Sequence, residues 1–169
     1  VIGGGFQNCN DAICSIIGGG KQNYIASAAA CSAIFGGIVN SILDGKANYV
    51  GGGCGNKISN GDCNTVGGGC CNRVCVPDGK NKNTVAGGGS NAICCNVHNS
   101  TIAGGASNLI ERLGGDDYGS TIAGGALNQI VGGDTNTIGG GCCNLISGSS
   151  DSVIAGGLKN TGSAADCAG

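Results

Sequence analysis

The sequence lacks several residue types on which an ordinary globular core depends. Its 169 residues include no tryptophan, no methionine, a single proline and five aromatic side chains, namely three tyrosines and two phenylalanines. This composition argues against a conventional core. Glycine is abundant, at 38 residues, but it follows no strict three-residue period, which together with the single proline excludes collagen.

Charge and long apolar runs are also scarce. Charged residues make up 11% of the chain and the net charge is -2, so no basic stripe could follow a phosphate backbone, and nucleic acid is not expected as a partner. No run reaches the roughly 18 apolar residues that a membrane-spanning helix requires, so no membrane insertion is expected.

What the sequence does contain is one short motif, ending in Gly-Gly-x-x-Asn, that recurs ten times along the whole chain. The closing asparagines are spaced by 15 to 20 residues, with 16 the commonest value. They are Asn8, Asn23, Asn40, Asn56, Asn72, Asn91, Asn108, Asn128, Asn144 and Asn160. A repeat of this length, covering residues 1–169, predicts a single solenoid domain.

Two aliphatic columns frame the closing asparagine of each motif. Isoleucine or valine stands six residues before it in all ten copies, and another stands two residues after it in eight copies. The flanking Thr, Ala, Asn and Gly favour short strands over helices. We therefore predict an all-β parallel β-solenoid, or β-roll, of about ten coils with a period near 16 residues.

The asparagines and glycines are assigned to the turns of this solenoid. Glycine gives the backbone freedom or room for a close neighbour, and asparagine tolerates left-handed turn geometry. Stacked coils would align the asparagines in a column in which side-chain amides hydrogen-bond from coil to coil. The predicted ladder comprises Asn56, Asn72, Asn91, Asn108, Asn128 and Asn144. Two insertions, at 76–83 and 111–119, carry much of the charge and are expected to protrude as solvated loops.

Runs such as Asn-Thr-Val-Gly-Gly-Gly at 64–69 and Ser-Thr-Ile-Ala-Gly-Gly at 120–125 resemble the head repeats of trimeric autotransporter adhesins and related phage or viral fibre repeats. The resemblance covers nearly the entire chain. It implies a left-handed parallel β-roll that trimerises, projects from a surface and binds host or matrix molecules. The longer period and the many cysteines of this chain depart from the family pattern.

Thirteen cysteines indicate an oxidising compartment, such as the cell exterior or a virion surface. Stacked strands would bring cysteines that share a column within disulfide range, which predicts three coil-to-coil pairs. These are Cys14 with Cys31, Cys54 with Cys70, and Cys75 with Cys94. Cys9 and Cys167, near opposite ends, are candidates for bonds between subunits. The alternative is that the cysteines are buried, reduced thiols that act as small hydrophobes.

No arrangement of residues suggests catalysis. Acidic residues are sparse, the single histidine, His98, lies in a polar stretch, and the cysteine clusters lack the paired Cys-x-x-Cys spacing of a structural zinc site. Lysine follows a glycine run only at Lys21, where no helix is predicted, so a phosphate loop is not expected. Asp116 and Asp117 are interpreted as a solvated acidic turn rather than a calcium site. We predict neither an enzyme nor a cofactor or metal.

One further column consists of threonines that precede the inward aliphatic residue and should face outward. They are Thr65, Thr84, Thr101, Thr121 and Thr137. Small residues follow the same aliphatics, so a flat strip of threonine beside glycine or alanine is expected. Such a strip suits packing against another subunit and also resembles the ice-binding faces of solenoid proteins.

The sequence therefore predicts a self-assembling subunit of an extracellular or virion-surface fibre, whose main partner is another copy of itself. Exposed strand edges at the ends of a solenoid can template further strands, so head-to-tail stacking is expected beside lateral packing. Two alternatives stay open: an adhesin or receptor-binding fibre module that uses the inserted loops to bind a host or matrix ligand, and an ice-binding solenoid that uses the threonine strip.

Overall fold

The computed structural model describes residues 1–77, 79 and 81–163, with the side chains at 113, 114, 116 and 117 left out of the description. Nineteen short strands occur within this part of the chain. They are β1 (Cys9–Asn10), β2 (Ile16–Ile17), β3 (Tyr24–Ile25), β4 (Ala33–Ile34), β5 (Ser41–Ile42), β6 (Tyr49–Val50), β7 (Lys57–Ile58), β8 (Thr65–Val66), β9 (Arg73–Cys75), β10 (Thr84–Val85), β11 (Ala92–His98), β12 (Thr101–Ile102), β13 (Leu109–Tyr118), β14 (Thr121–Ile122), β15 (Gln129–Val131), β16 (Thr137–Ile138), β17 (Leu145–Ser147), β18 (Val153–Ile154) and β19 (Thr161–Ser163).

The strands form two parallel sheets that face each other across a thin core. Odd-numbered strands make a ten-stranded sheet and even-numbered strands a nine-stranded sheet, each in chain order, among the described residues. The predicted all-β parallel solenoid with a period near 16 residues is thus confirmed. The ten motif copies make about nine turns because Ile2 contributes only a single bridge to Ile17 rather than a strand.

Each strand from β2 to β18 places at least one aliphatic side chain in the core. Both predicted columns are inward: of their eighteen members, all from Ile17 to Ile146 are fully buried, whereas Ile2 and Ile154 in the terminal coils are only partly covered. Ala29, Val76 and Val97 add further buried contacts in coils whose turns are longer. Alternation along each strand therefore directs one large side chain inward and leaves its neighbours outside.

The two insertions differ from the solvated loops that the sequence predicts. In the segment 76–83, Val76, Asn81 and Asn83 are buried and extend the core, while Lys80 lies outside the described residues. The segment 111–119 is largely part of β13, which pairs with β11 on both sides of a register shift. Arg112 is opposite Cys95 and Asp117 is opposite Val97, so residues 113–116 stand opposite Asn96 alone and make this coil three residues longer than the preceding one.

Candidate functional site

The ten closing asparagines line one corner of the solenoid, which we call the asparagine corner. From coil to coil, the Oδ1 atom of one asparagine accepts a hydrogen bond from the backbone N–H of the next, as from Asn72 to Asn56 at 3.0 Å and from Asn144 to Asn128 at 3.1 Å. The side-chain amide of Asn128 also donates to the Gly124 carbonyl at 2.9 Å and to the Gly141 carbonyl in the next coil at 3.1 Å. All six asparagines of the predicted ladder make these contacts.

Although asparagine tolerates the left-handed conformation, the ten closing asparagines do not adopt it. The residue immediately before each asparagine does so, for example Leu127 with φ 57° and Cys143 with φ 62°. This turn directs the following asparagine side chain inward, and from Asn23 to Asn144 the asparagine is buried and hydrogen-bonded, as at Asn128. A side chain that bridges two coils in this way joins their backbones, which neither a solvated asparagine nor an apolar residue could do.

The second glycine of each motif is required by both conformation and space. Gly125 has φ 82°, and a Cβ atom on it would collide with the Gly141 carbonyl oxygen of the next coil. By contrast, Gly124 has open space around the position of a Cβ atom. Only one glycine of the pair is therefore dictated by the stacking.

A second ladder, which the sequence reasoning missed, lines the opposite corner. We call it the mixed corner because asparagine and serine share it: Ser15, Ser32, Asn48, Asn64, Asn83, Ser100, Ser120, Asn136 and Ser152. The oxygen of each accepts a hydrogen bond from the backbone N–H of the next, as from Asn64 to Asn48 at 2.9 Å and from Ser120 to Ser100 at 3.0 Å. The sequence does contain a signal for this ladder: asparagine or serine stands two residues before the inward aliphatic of every even-numbered strand, from Ile17 to Ile154.

The two corners divide each coil into halves of different regularity. The constant half runs from the mixed corner through an even-numbered strand to the asparagine corner and spans eight residues in all nine coils. The variable half, which returns through an odd-numbered strand, spans 7 to 12 residues. Both predicted insertions fall in variable halves. One side of the rod therefore has the same geometry in every coil, and the other side absorbs every change of length.

The predicted threonines lie on the outer face of the constant side, which we call the threonine face. Thr65, Thr84, Thr101, Thr121 and Thr137 are direct partners in consecutive strands and are half-buried. Toward the first coils the same row continues as Ile16, Ala33 and Tyr49. The Tyr49 ring packs against exposed Phe35, with ring centroids 5.0 Å apart. The corresponding row on the ten-stranded sheet is mixed and includes Lys57, Arg73 and Gln129.

All twelve described cysteines carry free thiols, and none of them is buried. The alternative that they act as buried hydrophobes is therefore wrong for the described part of the chain. The backbone of Cys54 pairs with that of Cys70 in a parallel β-bridge, and the backbone of Cys75 pairs with that of Cys94 between β9 and β11, but no disulfide joins either pair. Cys14 and Cys31 occupy equivalent left-handed positions at the mixed corner. Cys9 is exposed at β1, and Cys167 lies outside the described residues.

The thiols differ in their surroundings. A hydrogen bond between Cys70 and Cys71, with their Sγ atoms 3.0 Å apart, raises the pKa of Cys70 to about 11. Burial raises the pKa of Cys94 to about 11, although the nearby Arg73 guanidinium opposes this shift. Arg73 itself contacts the Cys75 sulfur at 3.2 Å. With a raised pKa, the Cys70 and Cys94 thiols stay protonated at neutral pH.

Other candidate groups are dispersed. Within the described residues, no three His, Cys, Asp or Glu side chains converge on a point that could hold a metal ion. His98 stacks on Tyr118 with ring centroids 5.0 Å apart, and the side chains of Asp116 and Asp117 fall outside the description. No described helix is long and apolar enough to cross a membrane. No family model and no curated protein matches the chain.

Proposed function

We propose that the chain is a rigid, self-associating segment of an extracellular or virion-surface fibre. The single observation that carries this proposal is the constant half of the coil, which repeats the same eight-residue path nine times and so presents a face of constant geometry. With coils about 4.8 Å apart, nine steps give a rod roughly 43 Å long.

The two corner ladders support a structural role because they hold every coil in register. Each step between coils has a side-chain oxygen bound to a backbone N–H at both corners, as at Asn128 and Asn136. Buried bonds of this kind resist sliding of one coil over the next, since a slip would leave polar groups unpaired. A rod stiffened in this way suits a structural spacer.

The threonine face supports lateral association of copies. The side chains of its five threonines are short, so a second copy could approach closely there. Its aromatic end, at Phe35 and Tyr49, offers apolar area. No insertion interrupts it, because all differences in length lie in the variable halves. Packing between identical faces is the usual geometry of a symmetric assembly.

The test uses two substitutions in one coil, each at the first position of a strand before a buried isoleucine. Thr121→Glu places a charge on the threonine face, and Gln129→Glu places the same charge on the opposite sheet. We expect analytical ultracentrifugation and negative-stain microscopy under reducing conditions to show assemblies for the parent and for Gln129→Glu, and monomers for Thr121→Glu. A parent chain that stays monomeric at every concentration, with and without reductant, would refute the proposal.

A second candidate function, ice binding, is favoured by the in-register row of five threonines on an exposed sheet. It predicts thermal hysteresis from a monomer. Thr121→Tyr should then reduce the hysteresis while Gln129→Tyr leaves it unchanged, with circular dichroism showing that both variants are folded. Equal hysteresis in the two variants would exclude this function for the threonine face.

A further inference from the structure

Three pairs of adjacent cysteines occur in the chain: Cys70–Cys71, Cys94–Cys95 and Cys142–Cys143. In each pair the second residue is left-handed, with φ of 60°, 63° and 62° respectively. Adjacent side chains in an extended strand point to opposite faces, so their sulfurs cannot meet. At Cys70–Cys71 and Cys142–Cys143, which lie at the asparagine corner, the left-handed turn removes this separation, and the Sγ atoms of Cys142 and Cys143 lie 2.8 Å apart.

Among the described residues, the pair Cys142–Cys143 has no competing thiol in the neighbouring coils. Cys142 is bridged to Ala126 on one side and to Leu158 on the other, and neither residue carries sulfur. Its thiol contact with Cys143 raises the pKa of Cys142, and the positive charge of Lys159 acts in the opposite direction. The pair is only partly covered, so a small reagent can reach it.

We propose that Cys142–Cys143 is a dithiol modification site that takes low-molecular-weight disulfides, with oxidised glutathione as the representative. One cysteine, as the thiolate, attacks a sulfur of the reagent, forms a mixed disulfide and releases one molecule of reduced reagent. The second cysteine then attacks the protein sulfur of that mixed disulfide, closes a disulfide between the adjacent residues and releases the second molecule. Overall, two protein thiols lose two electrons and two protons, and one reagent disulfide gains them.

The other closely spaced pair provides an internal comparison. Cys70 contacts Cys71 at 3.0 Å between sulfurs but is also bridged to Cys54 in the preceding coil. Oxidation of Cys70 can therefore form a disulfide either with Cys71, within the corner, or with Cys54, between coils. At Cys142 the described neighbours offer only one partner for a disulfide, Cys143 within the corner.

Tryptic cleavage isolates the proposed site. The tryptic peptide 113–159 begins after Arg112 and ends at Lys159, and it contains Cys142 and Cys143 as its only cysteines. The reduced, folded protein is incubated with oxidised glutathione, quenched in acid, alkylated under denaturing conditions and digested. Mass spectrometry should find this peptide lighter than its reduced, unmodified form by two hydrogens, with neither glutathione nor alkyl group attached.

Two controls make the result decisive. Cys143→Ser keeps a side chain found at the equivalent left-handed positions Ser90 and Ser107, and it should hold glutathione stably at Cys142. The parent protein treated in concentrated denaturant should give mixed disulfides rather than ring closure. The proposal is overturned if the native peptide retains glutathione, is alkylated at both cysteines, or is linked to another peptide, or if the denatured chain closes equally well.

Discussion

The asparagine corner and the mixed corner perform the same structural task with different strictness. At the asparagine corner every coil uses asparagine, and the amide joins backbone carbonyls of two coils. At the mixed corner serine replaces asparagine in five of nine coils, because a hydroxyl can still accept the bond from the next backbone N–H. The comparison shows that the acceptor is needed at both corners, whereas the amide donor is needed consistently at only one.

Tolerance of added length follows the same division. Every difference in spacing lies in the variable half, after the asparagine corner and before the mixed corner. The constant half has tightly stacked glycine carbonyls, as at Gly125 and Gly141, which leave no room for an added residue. We therefore expect perturbations of the two halves to differ strongly.

The largest effect is expected from insertions. Adding Ser-Gly-Ser between Gly124 and Gly125 should cost about 4 kcal/mol or more, because it displaces an asparagine-corner turn from both neighbouring coils. The same insertion directly after Gly115, in the longest variable half, where a Cβ atom would meet only the Arg112 side chain, should cost about 1 kcal/mol, mostly from closing a longer loop. Chemical denaturation followed by circular dichroism would compare the two, and equal losses would contradict the division into halves.

Substitution by alanine, which adds one methyl group, should reduce stability very differently at the two glycines of one motif. Gly125→Ala forces a Cβ atom against the Gly141 carbonyl at a backbone φ of 82°, and we expect a loss of about 3 kcal/mol. Gly124→Ala meets open space and should change stability by less than about 0.5 kcal/mol. Thermal unfolding midpoints of the two variants would show whether stability is lost through contact with the next coil or through the loss of any glycine.

The corner ladders can be compared by the same substitution at each. Asn128→Ser removes an amide that donates to two carbonyls and to Asn108, and should cost about 3 kcal/mol. Asn136→Ser removes an amide with two acceptors, at a corner where Ser120 and Ser152 already occur, and should cost about 1.5 kcal/mol. Urea titrations would test the order, and a greater loss at Asn136 would reverse the ranking of the corners.

An effect smaller than that of Gly125→Ala is expected at Gly132 in the variable half. Its φ is 80°, but a Cβ atom there would have no neighbour within 4 Å. Gly132→Ala should therefore carry only the conformational cost of a left-handed alanine, about 1 kcal/mol. A loss as large as that of Gly125→Ala, measured in the same titration, would show that backbone conformation rather than coil contact explains the required glycines.

The parts of the fold that the sequence predicted are those with a strict period. Ile or Val recurs at fixed distances from each closing asparagine, so the inward columns, the parallel stack and the solenoid period could be read directly. The mixed corner was overlooked because two residue types share it, and neither Ser100 nor Asn136 stands out alone. The buried part of the segment 76–83 was missed because charged neighbours obscured Val76 and Asn81.

The sequence by itself determined the repeat, the strand positions and the residues that stack in each column, because these depend on periodicity along one chain. Only the tertiary structure decided which way the polar side chains turn. The left-handed residues Leu127 and Cys143 precede inward asparagines, and the cysteines remain outside the core. Those directions are set by contacts with the coils above and below, which a linear pattern does not contain.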